Sequence, residues 1–271
     1  MLRSGEEGIR PAAAAAPLRL GAPVRTQAHS QGVATDPKIR GVKSAANQLL
    51  AALPRKDYAR LLPALAPVSL EFGQILYEPE QPITHVYFPI DSLVSLLVPS
   101  DGRQLLEVGM VGYEGMVGAS IALGMPSSSL VALVQGGGSA LRMSAGRFRS
   151  ELAGNPPLQL MVNRHLHALL AQISKTVACN HFHVVEARLA RWLLMTRDRM
   201  RSLEFRMTHQ FLAQMLGVRR VGVTQAAGAL QRRKLISYKR GNVSILDRAG
   251  LERASCPCYR SDLNTYEDSF G

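Results

Sequence analysis

The spacing of apolar residues along this chain changes several times. Between positions 44 and 66 it is helical. Leu49, Leu50 and Leu53 form one group, Tyr58, Leu61, Leu62 and Leu65 a second, and Pro54 is placed to open the second of two short helices. From Val68 to Met143 the period falls to two. The pattern predicts strands at 68–72, 74–77, 85–90, 92–98, 104–110, 131–134 and 139–143. Turn signals separate them at Gly73, 80–82, Asp101-Gly102, Gly112 and 136–138. Short strands at regular spacing predict a closed or nearly closed β-roll.

Helical spacing returns at 147–153, and again after Asn155-Pro156-Pro157, where Asn155 caps and proline is tolerated in the first turn. In that longer helix Leu166, Leu170, Ile173 and Val177 follow one another at intervals of four, three and four, the spacing of a seam for a partner helix. Leu158, Met161, Val162 and Leu169 widen the apolar surface, so one face has enough to cover the roll and another to meet a second copy. The alternative is one wide stripe lying on its own domain. A further helix at 184–200 carries Val185, Leu189, Trp192, Leu193 and Met195.

Residues 208–230 have the spacing of a helix-turn-helix. Ala213 is small enough for two helices to cross closely. Gly217, four positions later, suits a turn that needs positive φ, and Val223 and Ala226 follow six and nine positions after it. Leu212, Leu216, Val218, Val223 and Leu230 supply the apolar side that joins the two helices. After Lys234, two short β-rich runs flank Lys239-Arg240-Gly241-Asn242, which predicts a hairpin behind the second helix, a wing. Asp247 caps a last helix at 248–255.

Charge changes the picture from a helical pair to a polyanion-binding one. Residues 201–240 hold nine Lys or Arg against the single acid Glu204, which is most of the chain's net charge of +12. A basic excess confined to one small unit is an electrostatic footprint for phosphate, whereas a merely solvated helix face needs no such concentration. Residues 1–43 are rich in Ala, Pro, Gly and Arg without sustained periodicity and are expected to be a disordered tail; as a secretory signal their apolar stretch is poor, broken by Pro17 and Arg19. The longest apolar candidate, 158–177, is interrupted by Asn163, Arg164, His165, His167, Gln172 and Lys175, so no membrane span is expected. Three cysteines are too few for a disulfide framework and fit a reducing cytoplasm.

β-roll, long helix, helix-turn-helix and wing in this order resemble the Crp/Fnr family of bacterial transcription regulators. The resemblance is most specific in Phe211-Leu-Ala-Gln-Met-Leu-Gly-Val-Arg-Arg and in Gly228-Ala-Leu-Gln-Arg-Arg-Lys-Leu-Ile-Ser-Tyr. It implies an α+β chain with residues 44–154 as a β-roll sensor domain, 155–180 as a dimerisation helix and 181–258 as a winged helix-turn-helix DNA-binding domain, followed by a C-terminal tail at 259–271. It further implies a cytoplasmic homodimer and no enzymatic activity. The implied partners are a palindromic double-stranded operator and RNA polymerase.

Family members read DNA from the start of the second helix, here Arg219, Arg220, Val221, Gly222, Val223, Thr224 and Gln225. Well-known members carry an Arg–Glu pair followed four residues later by Arg. This chain keeps Arg220 but has Val221 and Gln225 at the other two positions. Arginine binds guanine and glutamine binds adenine bidentately, and Val221 can touch a thymine methyl but cannot accept a cytosine amino proton. A different operator is therefore expected. Arg219 is equally suited to a phosphate clamp; Thr208 caps the first helix and can reach phosphate, and Lys239 and Arg240 are phosphate contacts of the wing.

The sensor roll departs further from the family pattern. Glu114 stands where cyclic-nucleotide binders carry their ribose-binding glutamate, and with Gly115, Ser127, Ser128 and Ser129 it makes up the expected effector pocket, whose serines can bond a neutral ligand. Yet no arginine lies between Arg103 and Arg142 to balance a buried cyclic phosphate, so tight cyclic AMP or cyclic GMP binding is not expected and the effector is left open. An iron–sulfur cluster of the Fnr kind is excluded by inventory, since no cysteine precedes Cys179. Cys179, His181 and His183 form a polar hinge whose donors also suit zinc or haem iron, with His165 and His167 upstream on different helix faces. Cys256-Pro-Cys258 has the makings of a thiol pair, but no helix start obviously lowers its pKa. Neither is expected to bind a metal or cofactor. A metal, haem or thiol sensor on the same fold, or a regulatory module without DNA, remains the alternative. A cupin-like enzyme fails because the strand region holds the single histidine His85.

Overall fold

The computed structural model describes residues 47–100, 104–200 and 204–270. The expected tail at 1–43 and the Asp101-Gly102 turn lie outside them. Two short helices, α1 (Gln48–Ala51) and α2 (Arg55–Leu61), lead into seven strands: β1 (Ala66–Leu70), β2 (Ile75–Tyr77), β3 (His85–Pro89), β4 (Leu93–Ser100), β5 (Gln104–Val111), β6 (Val131–Gly136) and β7 (Gly138–Ser144). They pair antiparallel as a four-stranded sheet, β2-β6-β4-β5, and a three-stranded sheet, β1-β7-β3. This is the β-roll that the alternating pattern predicts. Its interior is filled by Phe88, Val94, Leu96, Val111, Met116 and Val134, closed by Phe148 and Leu158 from the helices that follow.

Those helices are α3 (Ala145–Ala153), α4 (Pro156–Phe182) and α5 (Val185–Met200). Asn155 accepts a hydrogen bond from Leu158 N and so caps α4, as its position ahead of two prolines suggests. Period-two alternation in β4 turns Val94 and Leu96 into the roll and Leu93, Ser95 and Leu97 outward, yet all five are buried. The outward face is covered by α5. A strand covered on both sides is mostly apolar in sequence, as Leu93–Leu97 is apart from Ser95.

Then come β8 (Glu204–Arg206), α6 (His209–Leu216), α7 (Arg220–Arg232), β9 (Ile236–Lys239), β10 (Asn242–Ile245), α8 (Arg248–Ala254) and α9 (Cys258–Phe270). The predicted hairpin is present and gains a third strand, in the order β8-β10-β9. β8 is only three residues long and gives no readable alternation. Among the described residues, no helix is long and apolar enough to cross a membrane.

One expectation is overturned. Residues 259–271, expected as a C-terminal tail, are helical to Phe270 and pack along α4 and α5. Asp262 accepts from Arg191 Nε (3.0 Å) and Nη2 (2.7 Å), Tyr266 receives Gln172 Nε2 at 2.9 Å, and Tyr259 donates to Asp198 at 2.6 Å. The stripe Tyr259, Asp262, Tyr266, Ser269 has a carboxylate and hydroxyls where an apolar pattern would need aliphatic side chains, so hydrophobic periodicity misses it. Arg191 and Asp262 are 8% and 4% exposed as side chains, and removing one partner of a buried pair strands the other charge. Asp262→Ala is expected to cost about 3–5 kcal/mol, measured as a lower denaturation midpoint; an unchanged midpoint would mean that α9 contributes nothing to the fold.

Candidate nucleic-acid interface

The helix-turn-helix is built as the small residues require. Thr208 caps α6 by accepting from Phe211 N at 3.1 Å. Leu212, Ala213 and Leu216 of α6 meet Val223, Ala226, Ala227 and Leu230 of α7, all buried, with Val218 half-buried between them. Gly217 ends α6 at φ +62°, and a Cβ there would lie 2.7 Å from Leu106 Cδ1 of β5. The left-handed turn favours glycine, and a side chain there would also have to displace the tip of Leu106. Phe72 of the roll meets Phe211 with ring centroids 5.9 Å apart, a second contact of α6 with the roll.

The first turn of α7 faces outward. Arg219 occupies its N-cap without a side-chain capping bond, and Arg219, Arg220, Val221, Thr224 and Gln225 are exposed, with Gly222 half-buried among them. No acid occupies that turn, so the positive end of the helix dipole and two guanidinium groups add rather than cancel. Thr224 is more constrained than its position implies. Its hydroxyl donates to Arg220 O at 3.1 Å and lies 3.0 Å from His209 Nδ1. His209 in turn stacks on Tyr238 of β9, centroids 4.5 Å apart and planes 15° from parallel. Burial, then the nearby Arg220, lowers the His209 pKa, so the ring bonding Thr224 is the neutral imidazole. His209 and Tyr238 are absent from the sequence-level site; they tie α6, α7 and the wing into one body. A lone His in a cap position gives no signal until the wing strand is seen beside it.

At the wing tip, Lys239 and Arg240 are exposed. Arg240 (φ +50°) and Gly241 (φ +84°) form the two-residue turn of the β9–β10 hairpin, with Lys239 paired to Asn242. Positive φ is unfavourable for arginine by roughly 1–2 kcal/mol, a strain the hairpin holds while a cation projects from its apex.

The residues expected as an effector pocket are placed differently from one another. Glu114 is buried and its Oε1 accepts from Arg199 Nε at 2.7 Å and from Gly112 N at 3.1 Å. The guanidinium missing from the roll's own sequence is thus supplied by α5, where it also lies 5.0 Å over the Tyr266 ring. Gly115 is packed against His165 of α4 so closely that a Cβ would fall 2.2 Å from the imidazole. His165 is fully buried, its Nε2 3.0 Å from Met116 O, and burial lowers its pKa so that it stays neutral. His167, two residues on, is exposed, in keeping with opposite helix faces. Ser127, Ser128 and Ser129 lie apart from this group: Ser128 Oγ accepts from Leu130 N, and its carbonyl from Glu80 N, as parts of a turn.

A second buried polar group ties α5 to the outer face of the sheet. Glu107 of β5 accepts from Ser95 Oγ at 2.6 Å and from Trp192 Nε1 at 2.8 Å. Ser95 also bonds Gln135, which donates to Thr196 of α5 at 3.3 Å. Desolvation raises the Glu107 pKa from 4.5 to about 7, against the opposing pull of Ser95, Trp192 and the nearby Arg191 and Arg199. The folded state therefore holds a proton that the unfolded state has already lost between these values. Stability conferred by the protonated acid is complete below pH 4.5 and declines as pH rises toward 7. Glu107→Gln is expected to remove this slope and to raise stability at pH 8 by up to roughly 3 kcal/mol, read from denaturation midpoints at pH 5 and pH 8. A slope that survives in the variant would assign it to another group.

Comparison with known proteins agrees with this geometry. Residues 187–254 match the model described as a Crp-like helix-turn-helix domain. No curated protein matches the sequence. Among solved structures, FixK2 from Bradyrhizobium japonicum is similar at a TM-score of 0.61 and 13% identity, covering 71% of this chain and 98% of its own. The c-di-GMP responsive global regulator CLP from Xanthomonas campestris gives 0.58 and 18%, covering 71% and 99%. A CRP-family transcriptional regulator from Thermus thermophilus gives 0.57 and 20%, covering 69% and 96%. At such identities the likeness is one of fold. Residues 187–254 thus match a Crp-like helix-turn-helix domain, and the β-roll and long helix that carry them share the fold of these solved structures.

Proposed function

We propose that the chain is a sequence-specific DNA-binding transcription regulator that acts in the cytoplasm as a homodimer, with RNA polymerase as a further partner. The observation that carries this reading is the start of α7: Arg219, Arg220 and Val221 in its acid-free first turn, with Gln225 one turn on, project into solvent, the position from which such a helix reads the major groove. Arg220 and Gln225 supply base contacts of the bidentate kind, Val221 an apolar one, and Arg219, Thr208, Lys239 and Arg240 supply contacts to phosphate. Thr224 acts mainly by fixing α7 against His209. Selection of bound fragments from genomic DNA tests the reading, and no preference over scrambled duplex would reject it. In that assay Arg220→Ala is expected to weaken the selected site by about 1–3 kcal/mol, roughly five- to 150-fold, and random DNA far less. Equal losses on both would leave Arg220 a phosphate contact only.

Two copies meet along α4. Leu170 and Val177 are 65% and 63% exposed on one face of this helix. Leu166 and Ile173 are instead half-buried against their own roll, so only half of the expected seam is free for a partner. Two-fold pairing along this strip would place two α7 helices for a palindromic operator. The pair Leu170→Glu and Val177→Glu is expected to give monomers in sedimentation while leaving the helical circular dichroism unchanged; a persisting dimer would move the interface elsewhere. The roll, in this reading, is not a cyclic-nucleotide receptor at Glu114, because that carboxylate is held by Arg199 and the space beside Gly115 is filled by His165.

A further inference from the structure

Two short motifs that lie far apart in sequence converge at the junction of the long helix with the helix-turn-helix domain. Cys179 sits in the last turn of α4. His183 follows one turn later as the residue that ends the helix, its N–H donating to Cys179 O. Cys256 and Cys258 flank Pro257 where α8 gives way to α9. Cys179 Sγ and Cys256 Sγ are 3.4 Å apart, and Cys258 Sγ and His183 Nδ1 are 3.7 Å apart. One donor atom from each of the four residues falls within 4.8 Å of all the others. The three cysteines are free and buried. The nearby His181 is exposed and only meets Phe182 edge-on, so it stands outside the group.

We propose that Cys179, His183, Cys256 and Cys258 form a tetrahedral Cys3His site for a zinc ion. Each motif alone offers two ligands and carries no such implication; the fold makes them four. Zinc–sulfur bonds of about 2.3 Å and zinc–nitrogen bonds of about 2.0–2.1 Å require ligand atoms some 3.5–3.8 Å apart; the 3.4 and 3.7 Å pairs are already near these values, and the remaining pairs, all within 4.8 Å, would close by at most about 1 Å around the ion. Soft thiolates with an imidazole select zinc over magnesium or calcium. Four protein ligands leave no open position, which marks a structural site rather than a catalytic one.

The surroundings supply the charge that such a site needs. Zinc with three thiolates carries one net negative charge, and Arg188 and Arg191 of α5 are both buried within electrostatic reach of Cys179 and Cys256. Arg188 is bonded through one Nη to Leu216 O, but its buried Nε has no partner among the described residues. A thiolate ligand gives that donor an acceptor, in the manner of outer-sphere bonds to metal ligands. The neighbouring cavity, bordered by Cys179, Trp192 and Met215, measures about 20 Å³, room for about one water and far too little for a haem. Packing alone would account for three buried thiols, but not for an imidazole nitrogen brought among them. The ion would clamp the end of α4 to the α8–α9 connection, fixing the junction through which the long helix holds the helix-turn-helix.

The test uses the full chain, without a histidine tag, purified under reducing conditions and reconstituted with zinc sulfate. About one equivalent of tightly held zinc per chain is expected, released as the thiols are titrated with a mercurial. Exchange with cobalt is expected to give the visible bands and thiolate charge transfer of a tetrahedral site. Cys256→Ser and Cys258→Ser should each weaken zinc at least about tenfold, and His183→Cys should retain it. The wild-type measurements stand even where a variant fails to fold. Folded wild-type protein holding less than about a tenth of an equivalent after reconstitution, octahedral cobalt bands, or a Cys179–Cys256 disulfide in freshly purified chain would each overturn the proposal. None of these readouts depends on DNA binding.

Discussion

A guanidinium taken out of water must meet an acceptor or cost several kcal/mol, and α5 buries three of them. Arg188 reaches the end of α6 at Leu216 O, Arg191 reaches Asp262 of α9, and Arg199 reaches Glu114 of the roll. Each acceptor belongs to a different part of the chain. The requirement that all three be satisfied together fixes where the roll, the helix-turn-helix and the C-terminal helix stand around α5. Trp192 and Thr196 add neutral bonds to the same sheet through Glu107 and Gln135. Leu189, Leu193 and Leu194 supply the apolar contact that makes burial of the helix favourable in the first place.

This arrangement joins the β-roll to the helix-turn-helix through direct contacts within the described part of the chain. β5 illustrates it. Met110 is bonded to Gln172 of α4, Glu107 to Trp192 of α5, and Leu106 lies under the turn at Gly217. One strand thus touches the long helix, the first helix of the helix-turn-helix domain and the turn that orients α7. A displacement of β5 has nowhere to go without moving at least one of them.

The parts legible from sequence are those in which one rule suffices. Strand alternation marked the roll, Asn155 and Thr208 marked helix starts, and the Ala213–Gly217–Val223 spacing marked the helix-turn-helix. The residues at the start of α7 came from the family resemblance that this spacing supports. What stayed hidden depends on partners distant in sequence. α9 looks polar because Asp262 fills a core position opposite Arg191, and α5 looks half-solvated because its arginines point inward. The covered outer face of the sheet carries Ser95, Glu107 and Gln135, which in isolation read as a solvent face. Cys179 and His183 lie more than seventy residues from Cys256 and Cys258, and no local pattern reports that they meet.

The side chains at the tip of α7 stand apart from this interlocking. Arg219, Arg220, Val221 and Gln225 are exposed, and the folding of the unit rests on the alanines, valine and leucine behind them. Substitution at these positions is close to neutral for stability. Surface letters at this helix start are accordingly free to change from one descendant of the chain to the next, while the scaffold that holds them is inherited intact.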